Sequence, residues 1–348
     1  MDRVAAGVGK HFLNNLLNKP QVAILYSQAS IRAAFFESRM KDHNALREKY
    51  IALLRHLGYD FDFVSYEQLA DGTFEKRGYK ALILADACAM GDGEIAAVKR
   101  FAAKGGAVLA EGVPARREAN CRPRKGSPLA GCVTMLAETP EIGYLKALEY
   151  PGDEKNAAAI AAEQDRLEKA LATAVRAPRL SIRDATDGSR VRLVSVWPRV
   201  GRHGEPVWCV ASNGKKGSRL VDFIFPKKGH LYDLVSGQKI GQGDRFRLPL
   251  SKGRAYAFEL LDVEPKMAVA ASGADVRIRY APSVDTVVRV KVFDPSGVEA
   301  WYYSQKVVVR DGQATMTIPF VKSDAKGAWR IEATDVLTGE TRTAEVAR

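Results

Sequence analysis

Three features of this 348-residue sequence have residue types that could do chemistry: a cysteine after an apolar strand, a histidine–glutamate pair, and an acid at a strand end. Cys88 follows the apolar run ALILADA, where a thiol at the carboxyl edge of a parallel sheet could act as a hydrolase nucleophile. A nucleophile elbow needs small residues two positions before and after it, but Asp86 and Met90 occupy those positions. We therefore interpret Cys88 as a partly buried structural thiol.

The other polar candidates lack a partner or a suitable position. His203 and Glu205 have the spacing of a pair that could orient a base for a thiolate, but they lie in RVGRHGEP, a predicted polar hairpin turn. Glu111 ends AVLAEG, and glycoside hydrolysis needs a second carboxylate about 5 to 9.5 Å away across the sugar. No second acid has a position that can be argued for. We predict no catalytic residue, and a salt-bridging role for Glu111 at a helix end or at the rim of the sheet.

Cofactor and metal sites are not indicated by the sequence. The strand VAILYS is followed by Gln28-Ala-Ser30 rather than by a glycine-rich phosphate loop, and no GxxxxGK[ST] motif occurs. The four cysteines show no CxxC or Cys/His metal spacing. Cys121 and Cys132 could pair across their loop or remain free thiols. We predict no bound cofactor and no metal.

Aromatic side chains are a further kind of candidate, because they can stack on the faces of sugar rings. Five of them lie in predicted strands: Trp197, Trp208, Trp301, Tyr302 and Tyr303. The alternation of a strand predicts that about half of such residues belong to the core. The three consecutive residues from Trp301 to Tyr303 are the sugar-contact candidates that we single out.

The net charge of +12 would permit contact with nucleic acid or another polyanion. The densest basic groups lie in loop-like stretches without interleaved aromatic residues, at 116–117, 122–125, 215–216 and 227–228. We interpret them as solvated loop charge and predict no nucleic-acid partner. The sequence shows no signal peptide and no membrane-length apolar run, so we expect no membrane partner, and cytoplasmic and extracytoplasmic locations both stay open.

The elements that must position these residues change in type along the chain. Strand and helix patterns alternate over about 20–118, which predicts a parallel, doubly wound sheet. The helix at about 41–57 has apolar residues at intervals of three and four and ends at Gly58, namely Leu46, Tyr50, Leu53, Leu54 and Leu57. Asp153 is a predicted cap for a helix reaching about residue 175, after which strand-like alternation replaces the helical period.

Four segments follow from this pattern. Residues 1–19 form an N-terminal helix and linker, and 20–150 form the flavodoxin-like doubly wound α/β unit, with an irregular stretch at 119–152. Residues 151–263 form a helix plus a small antiparallel β domain, and 264–348 form a β-sandwich. The predicted fold is therefore a multidomain chain, α/β followed by all-β.

Several segments resemble a known family. PQVAILYSQASI, LRHLGYDFDFVSYEQL, YKALILADACAM and IAAVKRFAAKGGAVLAEG resemble the trimerisation domain of family 42 β-galactosidases, a relative of class I glutamine amidotransferases without the catalytic cysteine. HLYDLVSGQKIGQGDRFRLPLSKGRAYAFEL is similar to the small β domain that closes many glycoside hydrolases. The last segment, from DPSGVEAWYY onward, resembles immunoglobulin-like or macroglobulin-like modules.

The resemblance implies that 20–150 is an amidotransferase-like trimerisation domain and that 264–348 is immunoglobulin-like. It covers the accessory region of a β-galactosidase-like hydrolase without the catalytic barrel, so we expect a non-catalytic chain from the carboxyl-terminal part, or a split partner, of such an enzyme in carbohydrate metabolism. The implied partners are further copies in a trimer or a barrel-bearing hydrolase. A carbohydrate-binding or scaffold protein, and a Cys88 thiol hydrolase or amidase, are the alternatives.

Overall fold

The computed structural model describes residues 4–17, 20–175, 179–212 and 218–348, so the predicted basic loop at 215–216 lies outside the described residues. After a short helical segment, Val4–Val8, the helices are α1 (Gly9–Asn15), α2 (Gln28–Phe36), α3 (Met40–Leu57), α4 (Tyr66–Ala70), α5 (Thr73–Lys76), α6 (Asp92–Ala103), α7 (Gly143–Glu149) and α8 (Glu154–Leu171). The first strands are β1 (Leu16–Leu17), β2 (Val22–Tyr26), β3 (Phe61–Ser65), β4 (Ala81–Ala85), β5 (Ala107–Glu111), β6 (Thr134–Ala137), β7 (Ser181–Asp184), β8 (Val194–Gly201), β9 (Pro206–Ser212) and β10 (Ser218–Asp233). The remaining strands are β11 (Gln238–Ser251), β12 (Ala255–Leu261), β13 (Lys266–Ser272), β14 (Asp275–Ala281), β15 (Thr286–Phe293), β16 (Gln305–Val309), β17 (Gln313–Thr317), β18 (Ala328–Asp335) and β19 (Thr341–Ala347).

A five-stranded parallel sheet with the order β3-β2-β4-β5-β6 forms the first unit. Alternate residues of β2 face opposite sides of this sheet. Val22 and Ile24 pack with residues of α3, α7 and α8, whereas Ala23 and Leu25 pack with residues of α4, α5 and α6. Both faces are therefore covered by helices, and the α/β architecture predicted from the strand–helix alternation is confirmed.

Helix α3 forms where the apolar spacing predicts it, and it supplies most of the contacts to the sheet edge described below. Its apolar stripe is buried against one face of the parallel sheet, at Leu46, Tyr50, Leu53, Leu54 and Leu57. The helix ends because Gly58 adopts a left-handed conformation with φ 72°, which costs glycine little. The predicted end of this helix is confirmed.

Three segments differ from the sequence predictions. The sequence YDFDFVSYEQL has the composition of one strand, which would reach Leu69, but the strand ends at Ser65 because Ser65 and Gln68 form a reciprocal capping box that starts α4. The stretch 119–152 is not wholly irregular, since it contains β6 and α7. Residues 301–303 form a turn rather than part of a strand, and the strand that follows begins at Gln305.

Helix α8 begins after Asp153, whose side chain accepts a hydrogen bond from the Asn156 amide, as the sequence predicts. The sequence pattern predicts that this helix belongs with the small antiparallel β domain at 151–263. In the structure, Ile160, Leu167 and Leu171 pack into the core that α3 and the parallel sheet share. The helix therefore extends the cover of the α/β unit.

The rest of the described chain is antiparallel β structure. Strands β1 and β7–β12 form a seven-stranded sheet with a core that contains Trp208, Phe223 and Phe258. A three-stranded sheet (β13-β14-β17) and a four-stranded sheet (β16-β15-β18-β19) share a second core. This arrangement confirms the coarse prediction of an α/β unit followed by β domains.

The N-terminal segment 4–17 joins the two β units. Leu16 and Leu17 pair with β8 in the seven-stranded sheet, and Val8 belongs to the core of the two smaller sheets. Between them, the buried His11 places Nε2 2.9 Å from the carboxylate of Glu259 on β12. The segment therefore packs as an integral part of the β region.

Candidate functional site

The carboxyl edge of the parallel sheet is the natural place for a site in this architecture. The loop after β4 is held there by α2, because the Ser30 hydroxyl donates to the carbonyl of Ala89 at 2.9 Å and accepts from its amide at 3.1 Å. The Ser27 hydroxyl donates to the same carbonyl at 3.1 Å. Helix α2 therefore lies against this edge and fixes the loop that carries Cys88.

Asp86, the first residue after β4, has a left-handed backbone with φ 48° and a buried carboxylate. Positive φ at a residue other than glycine is uncommon and is often found at functional sites. Its Oδ2 accepts from Arg39 Nη1 at 3.1 Å and lies 3.0 Å from His43 Nδ1. Both partners come from the start of α3, so basic side chains enclose the carboxylate.

Glu111, at the end of β5, is completely buried and fully hydrogen-bonded. Lys49 Nζ lies 3.0 Å from both carboxylate oxygens, the Tyr50 hydroxyl donates at 2.6 Å, and the Glu141 amide donates at 2.7 Å. Lys49 is also 2.9 Å from Glu163 on α8. Burial, and then the negative charge of Glu111, raise the pKa of Tyr50 well above its ordinary value, so this hydroxyl stays a donor. The predicted salt-bridging role of Glu111 is confirmed, in the interior rather than at the rim.

A third acid, Glu37, closes the outer side of the same edge. Its carboxylate accepts from Arg39 Nε at 2.8 Å, from Arg116 Nη2 at 2.5 Å and from Arg117 Nε at 2.7 Å. Burial alone would raise the pKa of Glu37, but the hydrogen bonds from the three arginines lower it to about 2. This ionised carboxylate joins the α2–α3 connection to the loop after β5.

Cys88 is buried below this cluster, and its Sγ lies 3.9 Å from Arg39 Nη2. Burial raises the pKa of the thiol, and the charge of Asp86 raises it further, whereas Arg116 and Arg39 act in the opposite direction. A neutral, enclosed thiol is a poor nucleophile. Cys121 and Cys132 are free thiols as well, so the structure holds no disulfide between them.

The remaining sequence candidates lie on the β units. His203 and Glu205 occupy the turn between β8 and β9, as predicted, where His203 faces two aspartates of the smaller sheets. Trp301 and Tyr302 are 76% and 59% exposed. Tyr303 is only 9% exposed, and its hydroxyl donates to Asp324 at 2.7 Å. Of the three predicted sugar contacts, two are therefore accessible and the third is part of the core.

Sequence patterns do not identify most of the residues that enclose the carboxyl edge of the parallel sheet. Lys49 lies between Leu46 and Leu53 on the apolar face of α3, and a charged residue on such a face is a signal for a buried partner. Arg39 and Glu37 precede that helix in a connection without any motif. Their pairing with the loops after β4 and β5 depends on the packing of the α2–α3 connection.

A buried polar chain beside this site gives a prediction about pH. Gln164 Nε2 donates to the Tyr144 hydroxyl at 3.1 Å, and that hydroxyl is hydrogen-bonded to His56 Nδ1 at 2.7 Å. Burial, with a smaller effect of Arg55, lowers the pKa of His56 to about 4. The unfolded chain therefore binds more protons than the folded protein between about pH 6.5 and 4, and the stability that neutral His56 allows is lost as pH falls through that window.

We expect His56→Gln to keep a hydrogen-bond partner for Tyr144 while removing this titration, because the amide group can donate or accept. From pH 7 to pH 4, the wild type should lose up to about 3 kcal/mol more of its free energy of unfolding than the variant. Urea denaturation at each pH, followed by circular dichroism, measures both profiles. Parallel profiles for the two proteins would show that His56 does not titrate in this way.

Comparisons with known proteins give similarity at the level of solved structures alone. No family model matches the sequence, and no curated protein matches it. A GH42 β-galactosidase from G. stearothermophilus is 12% identical, with a TM-score of 0.48 over 69% of this chain and 40% of the other. A β-galactosidase from Bacillus circulans sp. alkalophilus is 14% identical, with a TM-score of 0.44 over 75% and 44%. An apo exo-carrageenase GH42 from Bacteroides ovatus is 14% identical, with a TM-score of 0.43 over 71% and 29%.

The chain thus spans less than half the length of each of these structures. It is similar to part of GH42 proteins, the family that the sequence segments resemble.

Among the described helices, none is long and apolar enough to cross a membrane.

Proposed function

We propose that this chain is a non-catalytic accessory and assembly region of a β-galactosidase-like glycoside hydrolase. The enclosed carboxyl edge of the parallel sheet carries this proposal. The three acids at that edge, Glu37, Asp86 and Glu111, are each paired with basic side chains of the same unit. A carboxylate that is held in such an ion pair is costly to leave without its partner and is not placed to transfer a proton to a substrate.

The finer fold assignments belong to the same proposal. The parallel unit is an amidotransferase-like trimerisation domain, and the two smaller sheets are an immunoglobulin-like sandwich. The sequence resemblance supports the first assignment, and the shared core of a three-stranded and a four-stranded antiparallel sheet supports the second. The left-handed Asp86 after β4 supports descent from a nucleophile-bearing fold, because strain of this kind is common at active sites.

Assembly is the role that remains for a domain whose sheet edge is closed. Phe35 and Phe36, consecutive residues at the end of α2, are 70% and 73% exposed. Burying a phenylalanine side chain contributes about 1.5 to 3 kcal/mol, so two adjacent exposed rings favour contact with another protein surface. Further copies of this chain in a trimer, or a barrel-bearing hydrolase partner, are the partners that we propose.

Sedimentation equilibrium of the wild-type chain tests this function directly. Between about 1 and 100 µM, we expect the mean mass to rise towards three times the 38.1-kDa chain, because specific interfaces with micromolar affinity assemble in this range. A mass that stays at one chain across the whole series would refute self-assembly.

Carbohydrate binding is a second candidate function, which the exposure of Trp301 and Tyr302 favours. Their rings are 5.9 Å apart at an interplanar angle of 81°, so Trp301 can present a face to a sugar while Tyr302 borders it. Titration with galactosides and polysaccharides should reach about millimolar ligand, since a single stacking contact gives weak affinity. If this function is correct, Trp301→Ala will abolish binding and Tyr303→Phe, which alters a buried residue, will leave it unchanged.

A further inference from the structure

Three metal-ligating side chains meet where the seven-stranded sheet contacts the two smaller sheets. His203 lies in the turn between β8 and β9, Asp285 directly precedes β15, and Asp311 lies in the turn between β16 and β17. One ligand atom from each of these side chains lies within 4.8 Å of the other two. Residues from three separate turns therefore converge on one point.

The distances within this group are compatible with a shared metal ion, although the shorter of them is also a hydrogen bond between His203 and Asp285. His203 Nε2 is 3.2 Å from Asp285 Oδ1 and 3.6 Å from Asp311 Oδ1. Charge-assisted N–H···O bonds are commonly about 2.7 to 2.9 Å long, so the His203–Asp285 hydrogen bond is long and the His203–Asp311 separation exceeds hydrogen-bond length. Tetrahedral ligands at about 2.0 to 2.1 Å from a zinc ion are about 3.3 Å apart, close to both measured distances.

The surrounding contacts hold the two aspartates in place. Asp285 is buried, and its Oδ1 accepts the Asp311 backbone N–H at 2.7 Å. Its Oδ2 lies 3.3 Å from Arg202 Nε and 3.4 Å from Arg310 Nη1, and Arg310 Nη2 donates to the Asn14 carbonyl at 2.8 Å. The N-terminal segment thus fixes the carboxylate from behind, leaving Oδ1 directed at His203.

The open side of the group can supply the remaining ligands. The side chains of Asp311 and His203 are 78% and 41% exposed. Water can therefore reach the point that the three ligand atoms share. The two arginines beside Asp285 oppose the charge of a cation, so a moderate affinity is expected rather than that of a structural zinc site with thiolate ligands.

We propose that His203, Asp285 and Asp311 bind one divalent transition-metal ion of the zinc type, with water completing its coordination. An imidazole nitrogen beside two carboxylates favours zinc or cobalt over magnesium and calcium, which prefer oxygen ligands alone. The ion links the β8–β9 turn of the seven-stranded sheet to the two smaller sheets, and so stiffens the junction that the N-terminal segment also spans.

Isothermal titration of the full, chelator-treated chain with zinc tests this site. We expect one zinc per chain, and at least about tenfold weaker binding in His203→Ala and in Asp311→Asn. Both side chains are exposed, so neither substitution should disturb folding, which circular dichroism checks. The control is His230→Gln. Of the five histidines, only His203 and His230 are not buried, and the His230→Gln variant should bind zinc as the wild type does.

Cobalt provides an independent readout of the ligands. Added Co²⁺ should give visible absorption bands in the wild type that disappear in His203→Ala and persist in His230→Gln. The proposal is overturned if the wild type binds no zinc at about 1 mM, or if His203→Ala binds zinc and cobalt as tightly as the wild type.

Discussion

Replacing Lys49 by methionine should lower the free energy of unfolding by about 3 to 5 kcal/mol. Lys49 is the ammonium partner of the completely buried Glu111 and also contacts Glu163. Without it, the Glu111 carboxylate stays in the interior with the Tyr50 hydroxyl and a backbone amide but loses its direct ion-pair partner. Urea denaturation at pH 7, followed by circular dichroism, measures the loss.

Two further variants separate the buried pair from general effects of a lysine substitution. Lys49→Met combined with Glu111→Leu removes both charges, and it should recover a large part of the lost stability, because the remaining penalty is mainly that of repacking. Lys104→Met removes an ammonium that pairs with Glu75 on the exposed surface, and it should change stability by less than about 1 kcal/mol. A loss of similar size in Lys49→Met and Lys104→Met would contradict the structural role of the Lys49–Glu111 pair.

Placing aspartate at both Phe35 and Phe36 should convert the assembled chain to single chains. The two exposed rings contribute apolar area to the proposed interface, and the substitutions add two like charges to each copy. Loss of about 3 kcal/mol or more corresponds to at least a hundredfold weaker association. Sedimentation equilibrium on the variant, at the concentrations used for the wild type, measures this change.

The matched control for the phenylalanine pair is Leu220→Asp, which alters a residue on β10 that is 54% exposed. This variant should assemble as the wild type does, since it lies on the seven-stranded sheet and away from α2. If the Phe35→Asp, Phe36→Asp variant is folded by circular dichroism and assembles normally, the α2 surface is not the interface.

Sequence patterns predicted those helices and strands whose limits are set by residues close together in the chain. The spacing of leucines in α3, together with Gly58, defines that helix almost to the residue, because the apolar stripe and the left-handed stop are both encoded within it. The signal that ends β3 was also local, since Ser65 and Gln68 have the capping-box spacing. The aromatic run at 301–303 has the composition of a strand, but it folds as a turn that leaves Trp301 exposed.

The candidate site could not be predicted in the same way, because its partners are far apart in sequence. Lys49 and Glu111 are 62 positions apart, and Arg39 and Asp86 are 47 apart. Each pair forms only after α3 has packed onto the sheet, so no short motif encodes it. Asp86 likewise adopts its left-handed conformation at the start of the β4–α6 loop, which Ser30 of α2 holds through Ala89, a residue 59 positions away in the sequence.

We propose that the polar groups at the carboxyl edge of the parallel sheet hold the fold together rather than catalyse a reaction. The most direct test is turnover of nitrophenyl glycosides, glutamine and simple esters by the purified chain, compared with Cys88→Ala and Asp86→Asn. We predict no turnover above the buffer rate for the wild type or either variant, because Cys88 and Asp86 are buried and Asp86 is ion-paired. Wild-type turnover that disappears in Cys88→Ala or in Asp86→Asn would contradict the account.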